Sequence, residues 1–214
     1  MRFLGLLAVF ALLAGAASAL LPNPNQEPHV HIGHVLEAWE DTPNQMGLPP
    51  VAQAEAAVAL QHIALALESK DLTGIKLHIG HVLHVLDPAL EADGPGLGYG
   101  LVKAARGVTK HIGLASISDD VSLNVQVHAA HAGGSATNVI HWSEEALKFA
   151  RRAKGTTYRN TATFNAGKVE VLLRQIVEGV DADGDGIVCG DLDEGGLAQV
   201  EQHMAHMAEG EGLI

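Results

Sequence analysis

The chain has 214 residues, enough for one domain or for one domain with a small appendage. It carries 25 Asp and Glu against 13 Lys and Arg, a formal net charge of −12, which argues against a nucleic-acid partner because phosphate contacts require clustered basic residues. The single cysteine, Cys189, excludes an internal disulfide, and the 13 histidines outnumber the 2 Trp, 2 Tyr and 4 Phe together.

The first 19 residues are typical of a secretory signal peptide. Arg2 supplies a positive start, residues 3–13 form an apolar run, and residues 17–19 (Ala-Ser-Ala) provide a small-residue cleavage site. We therefore expect export to the periplasm or the cell exterior, with a mature chain that begins at Leu20. Removal of Arg2 changes the formal charge from −12 to −13. No later segment is expected to act as an integral membrane anchor.

The remaining sequence predicts helices and no strands, so we expect an all-α fold. Pro28 suits the first position of a helix that stops before Thr42. Asp71 is expected to cap the third helix, and residues 118–120 to cap a long fifth helix that is interrupted near Gly133. The seven predicted helices cover residues 28–41, 51–69, 72–86, 99–117, 118–153, 166–180 and 196–209.

An internal repeat organises the first part of the mature chain. The sequence HIGHVL occurs at residues 31–36 and again at 78–83, and each copy is followed by a helix with one histidine, His62 or His111. The two units, 31–69 and 78–118, predict two helical hairpins that together form a four-helix bundle. We expect this bundle to lie in a domain of residues 20–153, followed by a second unit at 160–214.

The repeat predicts two histidine sites. Residues three apart lie on one face of a helix, so the two histidines of each HIGH sequence point in the same direction. A third imidazole from the next helix of the same unit would complete each site. The predicted groups are His31, His34 and His62, and His78, His81 and His111. Imidazole is a ligand of zinc, copper(II) and nickel, so a bound transition metal is the first hypothesis.

Two other interpretations of these histidines stay open. Haem b held without a covalent bond also needs axial histidines on facing helices, and Gly33, Gly80 and Gly113 each follow a His-Ile pair as if a large group approached the backbone. The histidines could instead be structural or respond to pH. Looser histidine stripes occur farther along the chain, at His128, His131 and His141 and at His203, His206 and Glu209.

Residues 181–194, DADGDGIVCGDLDE, predict a calcium loop between two helices. Alternate aspartates followed by a glycine at the sixth position are the pattern with which a tight loop turns several oxygens toward one hard cation. This segment resembles the EF-hand family, and its DxDxDGxxC pattern is similar to the Excalibur extracellular calcium motif. The resemblance covers about 45 residues. It implies ligands from Asp181, Asp183, Asp185, Ile187, Asp191 and Glu194.

The loop departs from the EF-hand pattern at its twelfth position. Leu192 stands where the family has a bidentate glutamate, and Glu194 is expected to supply that ligand from a slightly longer loop. The Excalibur pattern has a glutamate where this chain has Gly190, and its cysteine has a partner that Cys189 lacks. Cys189 is therefore expected to be a loop residue that is reactive or that links two chains.

The motifs of several enzyme classes are absent from the sequence. It contains no HExxH, no Glu three residues before a His, no CxxCH and no legible nucleophile–base–acid set, so we expect no catalytic activity. The principal hypothesis is an exported metal-binding protein. The alternatives are an electron-transfer protein with haem b, and a calcium-stabilised interaction module with structural histidines. The sequence identifies no protein partner.

Overall fold

The structure is a computed structural model that describes residues 27–191 and 193–214. The predicted signal peptide at 1–19, the expected start at Leu20 and position twelve of the acidic loop, Leu192, lie outside the described residues. The described chain is all helical, as predicted. Its helices are α1 (Glu27–Leu36), α2 (Leu48–Glu68), α3 (Leu72–Leu86), α4 (Leu101–Ser116), α5 (Leu123–Gly155), α6 (Arg159–Glu178) and α7 (Leu197–Gly210).

Helix α1 ends five residues before the predicted limit. The backbone N–H groups of Glu37 and Ala38 both bond to the carbonyl of Gly33, so the regular ladder of one bond per carbonyl ends there. The chain then reverses, and the Thr42 hydroxyl donates to the carbonyls of Trp39 (2.7 Å) and Met46 (2.5 Å). These hydroxyl bonds close a loop that helical periodicity does not reveal.

The boundaries of the other helices follow from their caps. Helix α3 has the predicted span, because the Asp71 carboxylate accepts from the N–H of Gly74 at 2.8 Å. Helix α5 is capped by Ser122 rather than by residues 118–120, and it continues through Gly133 without the expected interruption. Helix α6 begins seven residues before the predicted start.

The four helices of the repeat do not pair as the predicted hairpins. Helix α1 packs mainly against α4, and α2 packs mainly against α3, whereas α1 with α2 and α3 with α4 make few contacts. The HIGH helix of each unit therefore lies beside the single-histidine helix of the other unit. This exchange determines which imidazoles meet.

Helix α5 joins the parts of the bundle. It packs against α3, α4, α6 and α7, and so contacts helices of both predicted segments, 20–153 and 160–214. Its buried face consists largely of alanines, which allow neighbouring helices to approach closely. These residues are Ala129, Ala132, Ala136, Ala146, Ala150 and Ala153.

A buried carboxylate holds the connection between α3 and α4. The Glu55 side chain on α2 is 0% exposed and accepts from the backbone N–H groups of Leu97 (3.2 Å), Tyr99 (3.0 Å) and Gly100 (3.1 Å). Gly100 is the cap of α4, so this contact sets where α4 begins. An ionised acceptor satisfies donors that would otherwise be buried without partners.

Helix α2 is also the one helix among the described residues that is long and apolar enough to cross a membrane, with 21 residues and a mean hydropathy of 1.2. Length and composition alone therefore do not distinguish this helix from a membrane span, whereas the sequence predicts no anchor after the leader. Core helices of soluble proteins meet them too, and 39% of the apolar window is buried inside the bundle. The helix packs here against α3, α4 and α6.

Substitution Glu55→Gln should destabilise the fold. The amide retains one acceptor oxygen and turns a donor toward buried N–H groups, and each buried donor left without a partner costs about 1–3 kcal/mol. At roughly 2–4 °C per kcal/mol for a domain of this size, the melting temperature should fall by several degrees. Thermal unfolding followed by circular dichroism measures this. Glu68→Gln, an exposed change on the same helix, is the control and should leave it unchanged.

Candidate metal centres

The first centre combines α1 and α4. His31 and His34 share one face of α1, and His111 reaches them from α4; one ligand atom from each lies within 4.8 Å of the others. The Nδ1 atoms of His31 and His111 are 3.2 Å apart, and the rings of His34 and His111 are 5.0 Å apart between centroids. Trp39 packs edge-on against His34 and His111, at 4.8 and 4.5 Å. We call these three histidines the first triad.

One nitrogen of the first triad lacks a partner within the described part of the chain. His34 Nδ1 is buried and makes no hydrogen bond there. Buried polar atoms are nearly always satisfied, so an orphan of this kind requires an explanation such as a bound ion. By contrast, the buried His84 bonds the Glu91 carbonyl at 2.7 Å and so has an ordinary structural role.

The second centre combines α2 and α3. His62 Nδ1 lies 3.1 Å from His78 Nδ1 and 3.2 Å from His81 Nδ1, and the three side chains again offer ligand atoms within 4.8 Å of one another. The ring centroids of His62 and His81 are 4.4 Å apart. We call His62, His78 and His81 the second triad. It has the same composition as the first: two histidines three apart on one helix and one histidine on its neighbour.

The six predicted histidines thus form two groups, but the third members are exchanged. His62 does not join His31 and His34, and His111 does not join His78 and His81. The expected grouping is wrong because it followed the order of the repeat, whereas α1 lies against α4 and α2 against α3.

Burial keeps several of these imidazoles neutral. Desolvation, together with the smaller effects of the nearby His34 and His31, lowers the pKa of His111 to about 4. Burial is also the main cause of the lowered pKa values of His31, His62 and His81, with neighbouring imidazoles adding to it. A neutral imidazole is the form that binds a metal ion.

The glycines beside the histidines do not contact a closely packed helix. A Cβ atom built at Gly33 or Gly113 meets no atom of the described residues within 4 Å, apart from its immediate neighbours in the helix. At Gly80 the nearest group is the Lys154 ammonium, at 3.4 Å. Gly33 instead borders an open cavity of about 250 Å³ that His29, His34 and Glu37 also line.

The acidic loop brings three carboxylates together. Asp181, Asp183 and Glu194 each offer an oxygen within 4.8 Å of the other two. Asp181 shapes the loop by accepting from the N–H groups of Gly184 (2.7 Å) and Gly186 (3.0 Å). Gly186 has φ +86°, a left-handed conformation that explains the glycine at the sixth position.

Glu194 occupies the interior of the loop. Its side chain is buried and accepts from the N–H groups of Ala182 (3.3 Å) and Cys189 (3.2 Å). The Cys189 thiol donates to the same carboxylate at 2.9 Å, and this bond raises the pKa of the thiol to about 11. A thiol with that pKa stays protonated at neutral pH, which argues against the reactive cysteine expected from the sequence.

The other predicted loop ligands do not belong to this group of three carboxylates. Asp185 and Ile187 line an open cavity of about 610 Å³ together with Asp183 and Glu194, and Asp185 accepts from the Ile187 N–H at 2.8 Å. Asp191 also lines this cavity, but its carboxylate lies 3.3 Å from His131 Nδ1. The geometry therefore groups Asp181, Asp183 and Glu194, with the remaining three on the periphery.

No family model, curated protein or solved structure matches this chain.

Proposed function

We propose that this chain is an exported metal-binding protein that holds a divalent transition metal at each of its two histidine triads. The observation that carries the proposal is the convergence, twice, of three imidazoles from two helices to within 4.8 Å. Zinc–nitrogen bonds are roughly 2.0–2.1 Å long, so nitrogens on one ion lie at most about 4.2 Å apart. Ligand atoms within 4.8 Å of one another reach that spacing with a shift of less than an ångström. The exported location rests on the sequence of residues 1–19.

The donor set favours zinc, copper(II) or nickel. Imidazole suits these ions, whereas thiolate and thioether ligands, which select copper(I), are absent from both triads. Three protein ligands leave a tetrahedral ion with one open position. An open position allows an acceptor to approach the ion, which suits storage or delivery.

The haem b alternative has weaker support. Open space beside Gly33 is consistent with it. Haem, however, needs two imidazoles separated by a flat ring, whereas each triad directs three toward one point. A purified haem protein would show a strong Soret band, and its absence would remove this alternative. Structural histidines, the third interpretation, do not require three imidazoles to converge at two separate places in the bundle.

Calcium binding at the acidic loop is a second candidate function. Asp181, Asp183 and Glu194 supply the hard oxygen donors that calcium prefers, and Glu194 stands in for the ligand missing at position twelve. We propose that calcium at this loop fixes α6 relative to α7. The oxygen donors of the loop and the nitrogen donors of the triads would then select different ions.

Substitutions His111→Gln and His62→Gln should each remove one high-affinity zinc or copper(II) equivalent. Loss of groups that merely orient a ligand typically lowers metal affinity 10–100-fold, and loss of a ligand should cost no less. Competition with a chromophoric chelator, on protein without a His tag, measures the affinity. His141→Gln, at an exposed position on α5, is the control. Unchanged binding in both triad variants would contradict the proposal.

Acid should destabilise the metal-free protein between pH 7 and 5. The unfolded chain protonates its imidazoles near pH 6.5, while His111 stays neutral in the folded state down to about pH 4. The unfolded state therefore binds more protons in this window, and stability falls as pH falls. Melting temperatures measured in chelator should decline across it.

The His111→Gln variant identifies the cause of that decline. It should show a shallower dependence of melting temperature on pH than the wild type, because one neutral imidazole is gone. His141→Gln should retain the wild-type slope. Equal slopes in all three proteins would show that the triad does not titrate as the geometry requires.

Calcium should raise the melting temperature, and Asp183→Asn should abolish the rise. A ligand at a hundredfold excess over its dissociation constant stabilises by about 2.7 kcal/mol, or several degrees for a chain of this size. Asp119→Asn, at an exposed position between α4 and α5, is the matched control and should keep the full response. If millimolar calcium leaves the wild-type melting temperature unchanged, the loop does not bind it.

A further inference from the structure

A third histidine group lies where α5 packs against α7. His128 and His131 are three residues apart on α5, and His203 and His206 are three apart on α7. His128 Nδ1 is 3.1 Å from His203 Nδ1. The His-x-x-His spacing is visible in the sequence, but the sequence does not show that α5 and α7 pack with these histidines toward each other.

The contacts of this group reproduce those of the two triads. In each case the first histidine of a His-x-x-His pair meets the neighbouring helix's histidine through their Nδ1 atoms. The pairs are His31 with His111 at 3.2 Å, His78 with His62 at 3.1 Å, and His203 with His128 at 3.1 Å. His128 therefore has the position that His111 and His62 have in the first and second triads.

The remaining sides of the triangle also correspond. Between ring centroids, the second histidine of the pair lies 5.0 Å from the neighbouring helix's histidine in the first triad, 4.4 Å in the second triad and 5.5 Å in the α5–α7 group. The two histidines of the pair are 5.9, 5.8 and 6.4 Å apart. The new triangle is 0.5–1.1 Å wider on these sides, and its three side chains do not yet bring ligand atoms within 4.8 Å of one another as the two triads do. Its outer member, His206, has a side chain that is 48% exposed, and its Nδ1 lies 3.6 Å from the exposed Glu209 carboxylate. A turn of the ring toward the other two histidines would give up only this solvent-exposed contact.

His203 is held in orientation by its surroundings. The His131 ring stacks on it at 4.7 Å with an interplanar angle of 18°, and His131 Nδ1 lies 3.3 Å from the Asp191 carboxylate. Gly190 lies against the other nitrogen of His203, where a Cβ atom would come within 2.8 Å of Nε2. His203 Nδ1 is left facing His128.

The loop that supplies these contacts is itself fixed to α5. The Asn138 amide donates to the carbonyls of Asp191 (2.9 Å) and Gly195 (3.0 Å), and its oxygen accepts from the Asp193 N–H at 2.9 Å. Asp191 and Gly190 are thereby placed beside the histidine group, with the Asp191 carboxylate at its solvent-exposed edge. A fixed surrounding shell is what a metal site needs to keep its ligands in place.

We propose that His128, His203 and His206 form a third transition-metal site, for which His131 and Asp191 are positioning residues. The site takes the same class of ion as the triads, a divalent zinc, copper or nickel, bound through His128 and His203 Nδ1 and closed by rotation of His206. This site adds a third ion, between α5 and α7, to the two of the proposed function. It rests on the proposed function in one respect, that converging imidazoles act as metal ligands.

Counting bound zinc tests the site. Metal-free protein without a His tag is dialysed against micromolar zinc in millimolar calcium, which keeps the acidic loop occupied by calcium if it binds calcium, and bound zinc is measured by mass spectrometry. The wild type should bind three equivalents, and His128→Gln and His206→Gln should each bind two. His141→Gln, on the same helix as His128, should still bind three. Because His206 is half exposed, its variant decides the question even if His128→Gln does not fold.

A double variant separates this proposal from the preceding one. His62→Gln with His111→Gln removes one ligand from each of the first two triads and should retain one equivalent. If the wild type binds two and the double variant none, the third site is overturned while the proposed function stands. If the double variant still binds as much zinc as the wild type, the first two triads do not bind zinc. Three equivalents in both His128→Gln and His206→Gln would also overturn the third site.

Discussion

Close packing of helices through alanine is the constraint on which the sites depend. An imidazole reaches only a short way from its helix, so two helices must lie near each other before three rings can converge. Ala132 and Ala136 on α5, Ala104 on α4 and Ala59 on α2 are buried at or near 0% exposure. Interaxial distances depend on the side chains at the contact, and small ones give the shortest. Larger residues at these positions would increase the distance between the helices. The imidazoles would then be too far apart to converge, although no histidine had been changed.

The bundle keeps two kinds of donor apart. Neutral imidazole nitrogens lie between helices, whereas the carboxylates of Asp181 and Asp183 lie in an exposed loop outside the helical packing. Burial lowers the pKa of His111 and so preserves its lone pair. The same burial would raise the free energy of a carboxylate unless donors surrounded it, as they surround Glu55. Donors suited to hard cations and donors suited to borderline cations thus lie in different parts of the chain.

Local features of the fold were predictable from the sequence. The span of α3 follows from the Asp71 cap and its apolar periodicity, and the convergence of Glu194 with Asp181 follows from the spacing of a calcium loop. The early end of α1 was not predictable, because it depends on the Thr42 hydroxyl bonding backbone carbonyls around a turn. Propensity and periodicity describe neighbours along the chain and omit bonds of this kind.

The membership of the triads shows where prediction from a repeat ends. A three-residue spacing places His31 beside His34 on any helix, because the helical period alone determines it. Which third ring completes the site depends on helix packing over long sequence separations: 80 residues part His31 from His111. The HIGH helix of each unit can pair with the single-histidine helix of its own unit or with that of the other unit. The two HIGHVL copies are equally similar in either arrangement. The choice is made by the whole core.

The position of Trp39 gives the first triad an optical property. Its indole ring lies 4.8 Å from the His34 ring and 4.5 Å from the His111 ring, at van der Waals range of the space between the three imidazoles. The other tryptophan, Trp142, is buried in the core on α5. A paramagnetic ion held by His34 and His111 would quench indole emission at this distance, whereas a closed-shell ion would not. The fluorescence of one residue therefore distinguishes the electronic class of the occupant at one site without any added label.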